Sequence, residues 1–229
     1  MIWVVLNSYN RPRGLKRALS SLTGQRDCNW TCLLMDDGSD FDVASLCADP
    51  RVRLFHASPT PQDRAEQVRY ALAINEALDE IVGVADPGDP LCYLCDDDWF
   101  YPNWFEDLHA FFGRSPGVKV CYGREMALDF SQVGDPTAAG PVRFFPDGIR
   151  TPGGYLDHCQ VSHRVECVKT LRWPLVFPAD WHFFNLLHHR WEFYPLAVFA
   201  AQKAYHPKAL NTEGVWADRY QKGLSGWRE

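Results

Sequence analysis

The stretch Leu91-Cys92-Tyr93-Leu94-Cys95-Asp96-Asp97-Asp98 decides the fold of this 229-residue chain. Its apolar half reads as a strand buried on both faces, and the strand runs directly into three carboxylates. Adjacent carboxylates repel one another, so a fold keeps them in solvent or around a cation. The aromatic run Trp99-Phe100-Tyr101 follows at once, which weighs against a plain solvated turn. A hard divalent ion takes carboxylate and diphosphate oxygens together.

The same arrangement of strand and polar loop comes twice earlier. Residues 2–6 (IWVVL) are an apolar run ended by Asn7-Ser8-Tyr9-Asn10-Arg11-Pro12, and residues 30–35 are another, ended by Asp36-Asp37-Gly38-Ser39-Asp40. Residues 52–55 predict a third short strand. Between the strands, Leu15, Ala18, Leu19 and Leu22 recur at helical spacing and end near Gly24. Residues 62–82 predict a long helix through Ala65, Val68, Leu72, Ile74, Leu78 and Ile81. After Pro102, Trp104, Phe105, Leu108, Phe111 and Phe112 predict another. Strand and helix alternate, so the fold class is α/β, with a parallel sheet covered by helices on both faces. Ligands of open α/β sheets bind at the carboxyl ends of the strands, where the three polar loops fall.

The second half is less regular. Residues 118–122 predict a strand, 131–154 a long loop or hairpin, 155–164 (YLDHCQVSHR) a strand of alternating polarity, 180–190 a helix and 193–199 a strand. No repeat or linker separates the halves, so residues 1–229 read as one domain.

Composition narrows the classes further. Hydrophobic residues are 46% and charged residues 23% of the chain, which excludes disordered, collagen-like and coiled-coil proteins. A net charge of −6 argues against a general nucleic-acid-coating surface. Arg143, Arg150, Arg164, Arg172 and Arg190 leave a local basic groove open, against the plainer reading of scattered solvated charges. Aromatics reach 14%, nine of them Trp, which suits a sugar- or base-stacking cleft as well as a large core. The run 2–6 is shorter than the roughly 7–15 residues of a signal-peptide core, and no window approaches the roughly 20 apolar residues of a membrane span. The eight cysteines sit mostly singly among apolar neighbours and read as reduced, buried thiols of a cytoplasmic protein. Cys92 and Cys95 face opposite sides of their strand. A zinc site needs a matching second pair, and Cys28/Cys32 is a loose candidate.

Taken in order, VVLNSYNRP, LLMDDGSD and YLCDDDWFYP resemble the nucleotide-sugar half of the family 2 glycosyltransferases, over residues 1–112. The resemblance implies the GT-A fold: a Rossmann-like, mostly parallel central sheet flanked by helices, with residues 1–120 binding the nucleotide-sugar and a fused acceptor-side half over 121–229. It implies a nucleotide-diphosphate-sugar donor, most often a UDP-sugar, and Mn²⁺ or Mg²⁺. By position, Ser8, Tyr9 and Arg11 would line the nucleotide-sugar, with Tyr9 packing on the base. Asp37 would bond base or ribose with Asp36 beside it. Asp96, next to Asp97, would approach the ribose or the metal, and Asp98, last of the DxD motif, would bind the metal. Arg64, Arg69 and Asn75 resemble the segment that contacts donor or diphosphate. In the second half Asp180, in Ala179-Asp180-Trp181, sits where the family places its catalytic base, although Asp is also an ordinary helix N-cap. Asp157, in Asp157-His158, is the rival base. His206 would complete the metal site. Trp99, Trp104, Tyr155 and Trp181 are candidates to wall the sugar pocket, or core residues.

The implied reaction is inverting transfer of a sugar to an acceptor hydroxyl, on a soluble glycan, metabolite, protein or modified DNA base. A sugar-nucleotide nucleotidyltransferase is the alternative; its phosphate loop is normally Gly-rich, and this first loop has no glycine before Gly14. A sugar-nucleotide-binding protein without catalysis is a third reading, which the acidic triplet and Asp180 oppose.

Overall fold

A computed structural model describes residues 1–57, 69–129, 140–150 and 152–205. Arg64, His206, residues 131–139 and 151 of the predicted loop region, and the 62–68 part of the predicted long helix therefore lie outside the described residues. The elements are β1 (Ile2–Ser8), α1 (Pro12–Thr23), β2 (Trp30–Asp36), β3 (Val52–His56), α2 (Arg69–Val84), β4 (Pro90–Cys95), β5 (Asp98–Phe100), α3 (Trp104–Arg114), β6 (Val120–Asp129), β7 (Val142–Arg143), β8 (Val161–Arg164), α4 (Ala179–His188) and β9 (Phe193–Tyr205). They build one sheet in the order β3-β2-β1-β4-β8-β6-β9-β5, with β7 on β6.

Over its described residues the first half shows the predicted alternation of strands and helices. β1 pairs in parallel with both β2 and β4, and β2 with β3. Strict alternation along β1 sends Ile2, Val4 and Leu6 to one face, with α1 and α3, and Trp3 and Val5 to the other, with α2 and α4. Strand order reverses between β1 and β4, because the chain lays β2 and β3 on one side of β1 and β4 on the other. That reversal opens a crevice at the carboxyl ends of β1 and β4, the usual ligand position of open α/β sheets.

The second half departs from its pattern at three places. Residues 155–164 are not one strand: only Val161–Arg164 is extended, while His158–Gln160 forms a 3-10 turn. Asp157 and Gln160 close a reciprocal capping box, with Gln160 Oε1 accepting from the Asp157 N–H at 2.9 Å, and this local alternative wins over extension. The acidic triplet is not only a turn, because Asp98 opens β5, which pairs antiparallel with β9 through Asp98↔Lys203. β9 itself runs on to Tyr205, held along its length by β6.

No described helix is long and apolar enough to cross a membrane. Cys28 is exposed and Cys32 is buried in the core beneath β1 and β2, and neither belongs to the metal-capable groups among the described residues. All eight cysteines carry free thiols.

Candidate active site

The crevice brings together the loops after β1, β2 and β4. Asp96 folds back onto the first of these. Its Oδ2 accepts from Ser8 Oγ at 3.1 Å and from the Tyr9 N–H at 2.9 Å, and its Oδ1 accepts from Arg11 at 3.1 Å. Arg11 also reaches Asp97 Oδ2 at 2.7 Å. Burial, with Asp97 adding repulsion, raises the Asp96 carboxyl to about 6. Burial works against the Arg11 charge, but Asp97 and Asp96 outweigh it. Helix α1 presses on the same turn: a Cβ on Gly14 would stand 2.0 Å from the Asp96 carbonyl oxygen, so only glycine permits this approach. Asp96 thus has its oxygens engaged by protein donors and fixes the loop geometry.

After β2, Asp36 caps its own turn, accepting from the Ser39 N–H at 3.1 Å. Asp37 pairs with Arg69 at the start of α2, where Arg69 Nε donates at 2.8 and 3.0 Å and a further guanidinium nitrogen reaches Oδ1. Tyr9, 40% exposed, lies near this guanidinium at the mouth of the crevice. Asn75 is not brought to this edge. Both ends of its amide bind the Trp173 backbone at 2.9 Å, which clamps α2 to the segment before α4.

Asp98 points inward, and its surroundings differ from those of its neighbours. Its side chain is wholly buried, and neither carboxylate oxygen has a hydrogen-bond partner. His158 Nε2 lies 3.4 Å from Oδ2 and also lacks a hydrogen bond. The other ring nitrogen, Nδ1, is held by Asp157 at 2.8 Å, and Asp157 Oδ2 accepts from Lys203 at 2.5 Å. Burial pushes the Asp98 carboxyl well above the ordinary range, against the pull of Lys203. Burial also works against ionised Asp157, but Lys203 and His158 overcome it and hold that carboxyl well below the ordinary range. Burial disfavours the His158 imidazolium, and Cys95 and Asp157 more than offset this. Cys95, Asp98 and His158 place one donor atom each within 4.8 Å of one another, as do Asp98, Asp157 and Cys159.

Asp98, Asp157 and Glu125 set three carboxyl groups here against Lys203, Arg143 and the His158 ring. Two Asp98 oxygens without hydrogen bonds in a buried pocket fit a divalent cation, for which the His158 ring would give up its Nε2 proton.

Asp180 is the second residue of α4, whose cap position is occupied by Pro178, so the N-cap alternative for Asp180 does not hold. Its Oδ1 accepts from the Trp181 N–H at 2.9 Å. Burial and the charge of Asp157 raise its carboxyl, while His158 and Lys203 act in the opposite direction. It therefore shares the electrostatic environment of the Asp98 pocket while remaining partly open to solvent. Among the aromatics, Trp104 is a core residue of the opposite face, and Trp99 lies under Arg17 at 4.6 Å. Trp181 packs against Gly153, where a Cβ would come within 2.0 Å of its ring, and Tyr155 is exposed.

Of the five arginines, four have protein partners among the described residues, Arg143 with Glu125 at 3.9 Å. Arg164 is buried and donates to the carbonyls of Val118, Gly88, Phe112 and Ser115. Arg172 binds Asp79, and Arg190 binds Thr170. His158 and Lys203 escaped the sequence reading as site residues. Lys203 left a trace, a lone cation in the otherwise uncharged strand run after Phe199.

Residues 3–139 match Glycosyl transferase family 2. Protein CgeD of Bacillus subtilis (strain 168) is 27% identical over 168 residues, 70% of this chain. The chain spans 37% of that relative's length. Among solved structures, S. aureus TarS 1–349 in complex with UDP is similar with a TM-score of 0.69 at 14% identity, over 90% of this chain and 61% of that one. Glucosyl-3-phosphoglycerate synthase from Mycobacterium tuberculosis, in complex with Mg²⁺ and UDP, is similar with a TM-score of 0.58 at 13% identity, over 99% and 78%. With more than half of its length matched and its sheet laid out as in these enzymes, the chain belongs to glycosyl transferase family 2 and has the GT-A fold.

Proposed function

We propose that this chain transfers a sugar from a UDP-sugar to an acceptor hydroxyl with inversion, and that Asp98 anchors the divalent cation. The observation that carries this reading is the wholly buried Asp98 carboxylate next to the β1/β4 crevice, without a hydrogen bond and facing His158 Nε2 at 3.4 Å, with Asp180 under the influence of the same Asp157, His158 and Lys203 charges. Family membership supports sugar transfer, and the UDP complexes of the structural neighbours support the nucleotide. Mn²⁺ or Mg²⁺, held by Asp98 with His158 beside it, would neutralise charge on the leaving diphosphate.

The remaining work falls to this chain's own side chains. Tyr9 at the mouth offers a ring face to the base, and the Asp37–Arg69 pair walls the nucleotide side of the crevice. Ser8, Arg11 and Asp96 hold the loop in shape. Asp180 takes the proton from the attacking hydroxyl. Its raised carboxyl favours this role, whereas Asp157 is held acidic by Lys203 and makes a poor base. A single base and a single displacement invert the anomeric centre.

The first loop's bonds to Asp96 lack the Gly-rich backbone cradle of a nucleotidyltransferase. Four of the five arginines have protein partners among the described residues, which weighs against the modified-DNA-base reading. The test is thermal stabilisation by UDP with Mn²⁺, followed by UDP release from a panel of UDP-sugars and acceptors. Asp98→Asn should remove the Mn²⁺-dependent stabilisation and turnover with the fold intact. Wild-type activity that survives EDTA would overturn the assignment.

A further inference from the structure

We propose that the cation at Asp98 is bound through the Cys95 sulfur and His158 Nε2 as well, so that the site is a mixed carboxylate–imidazole–thiolate centre selecting Zn²⁺, Co²⁺ or Mn²⁺ over Mg²⁺. The inference rests on the preceding reading only for Asp98 as the ion's anchor.

Three observations converge on it. The donor atoms of Cys95, Asp98 and His158 lie within 4.8 Å of one another. Ligands about 2.0–2.3 Å from one tetrahedral ion stand about 3.3–3.8 Å apart, so the set closes on an ion by a contraction of up to about 1.5 Å. Both Asp98 oxygens and His158 Nε2 lack hydrogen bonds, although Asp98 is wholly buried, and Oδ2 and Nε2 face each other as an ion pair at 3.4 Å, close enough to share an ion. His158 is also already oriented as a ligand: Asp157 holds Nδ1 at 2.8 Å, and Lys203 holds Asp157 in turn. A carboxylate behind a metal-binding imidazole fixes its tautomer and aims its second nitrogen at the ion, a device that accompanies most histidine–metal bonds.

The thiol sets the selectivity. Cys95 ends β4, and Asp98 opens β5 after the turn of Asp96 and Asp97, so the fold carries sulfur and carboxylate to one point from opposite ends of that turn. Sulfur suits borderline and soft ions, whereas Mg²⁺ demands oxygen ligands and retains its water. Binding converts the thiol to a thiolate and also takes the proton from His158 Nε2, and both protons leave to solvent.

The test is titration of the apo protein with Co²⁺, read by absorption and by calorimetry without sugar nucleotide. The expected result is one equivalent of Co²⁺ with thiolate-to-cobalt charge-transfer absorption in the near ultraviolet. That band is lost in Cys95→Ser and in Asp98→Asn, and retained in Cys159→Ser. Zn²⁺ displaces the Co²⁺ and excess Mg²⁺ does not. Asp157→Asn lowers Co²⁺ affinity by roughly 10–100-fold, the usual cost of an outer-shell partner. Should a variant fail to fold, protection of wild-type Cys95 from alkylation by Zn²⁺, mapped by mass spectrometry, reads the same contact. Co²⁺ bound without the band, a band that survives Cys95→Ser, displacement by Mg²⁺ or an unprotected Cys95 each overturns the ligand set. Because the binding assay contains no donor, a protein that shows the band yet transfers no sugar counts against the proposed reaction and leaves the centre standing.

Discussion

His163 provides a quantitative test of how the strand carrying the acidic turn is tied to the second half of the chain. The residue is fully buried on β8, across from Leu91 of β4 and Val120 of β6. Its Nδ1 lies 2.9 Å from the Arg164 carbonyl, which only accepts, so Nδ1 carries the proton. Nε2 then accepts from the Tyr93 hydroxyl at 2.8 Å. The neutral ring is satisfied at both nitrogens, and burial lowers its pKa to about 4 against a partial offset from the Arg164 carbonyl. An unfolded histidine titrates near 6.5, so the stabilisation is complete above that pH and is lost as pH falls towards 4. At pH 5 the unfolded ring is almost wholly protonated and the folded one about one-tenth, which costs about 2 kcal/mol relative to pH 7.5. Urea unfolding of wild type and His163→Gln at both pH values isolates this contribution, because every other titrating group is common to the two proteins. The variant should lose about 2 kcal/mol less than wild type on acidification. Equal losses in the two proteins would refute the buried neutral imidazole.

Asp180→Asn should lower sugar transfer by roughly 10²–10⁴-fold, while unfolding free energy changes by less than about 1 kcal/mol because the residue is not the cap of α4. If Asp157→Asn proves to be the dead variant and Asp180→Asn turns over, the base belongs to the capped turn instead. Gly14→Ala puts a methyl group 2.0 Å from the Asp96 carbonyl oxygen and should cost roughly 1–3 kcal/mol and weaken Mn²⁺-dependent UDP binding, whereas Gly117→Ala, with open space around it, should spare binding. Gly83→Ala, inside α2 with nothing within 4 Å, should raise stability by about 1 kcal/mol in chemical denaturation, and a loss would mean that α2 ends earlier than described.

The alternating pattern of the first half was legible in the sequence because each element declares itself locally. Buried parallel strands such as IWVVL and LCYLC are continuous apolar runs, and Leu15, Ala18, Leu19 and Leu22 mark one helix face whatever they pack against. The loops after β1, β2 and β4 could be placed at one edge of the sheet for the same reason, since parallel strands share a direction. The division of labour within the acidic triplet was not legible. Three identical side chains in a row become a loop clamp at Asp96, a partner of Arg11 at Asp97 and a buried carboxylate without a hydrogen bond, facing His158, at Asp98. What separates them is β5, a strand of three residues too short to show a period, which exists because β9 passes beside it. His158, Lys203 and the capping of Asp157 likewise depend on partners distant in the chain, with Asp98 and Lys203 more than a hundred residues apart yet directly in register. Local sequence thus determined the longer strands and helices of the first half and the sheet edge that holds the candidate site. The long-range pairing of β5 with β9, and the burial it imposes, decided which carboxylate is left without a hydrogen bond.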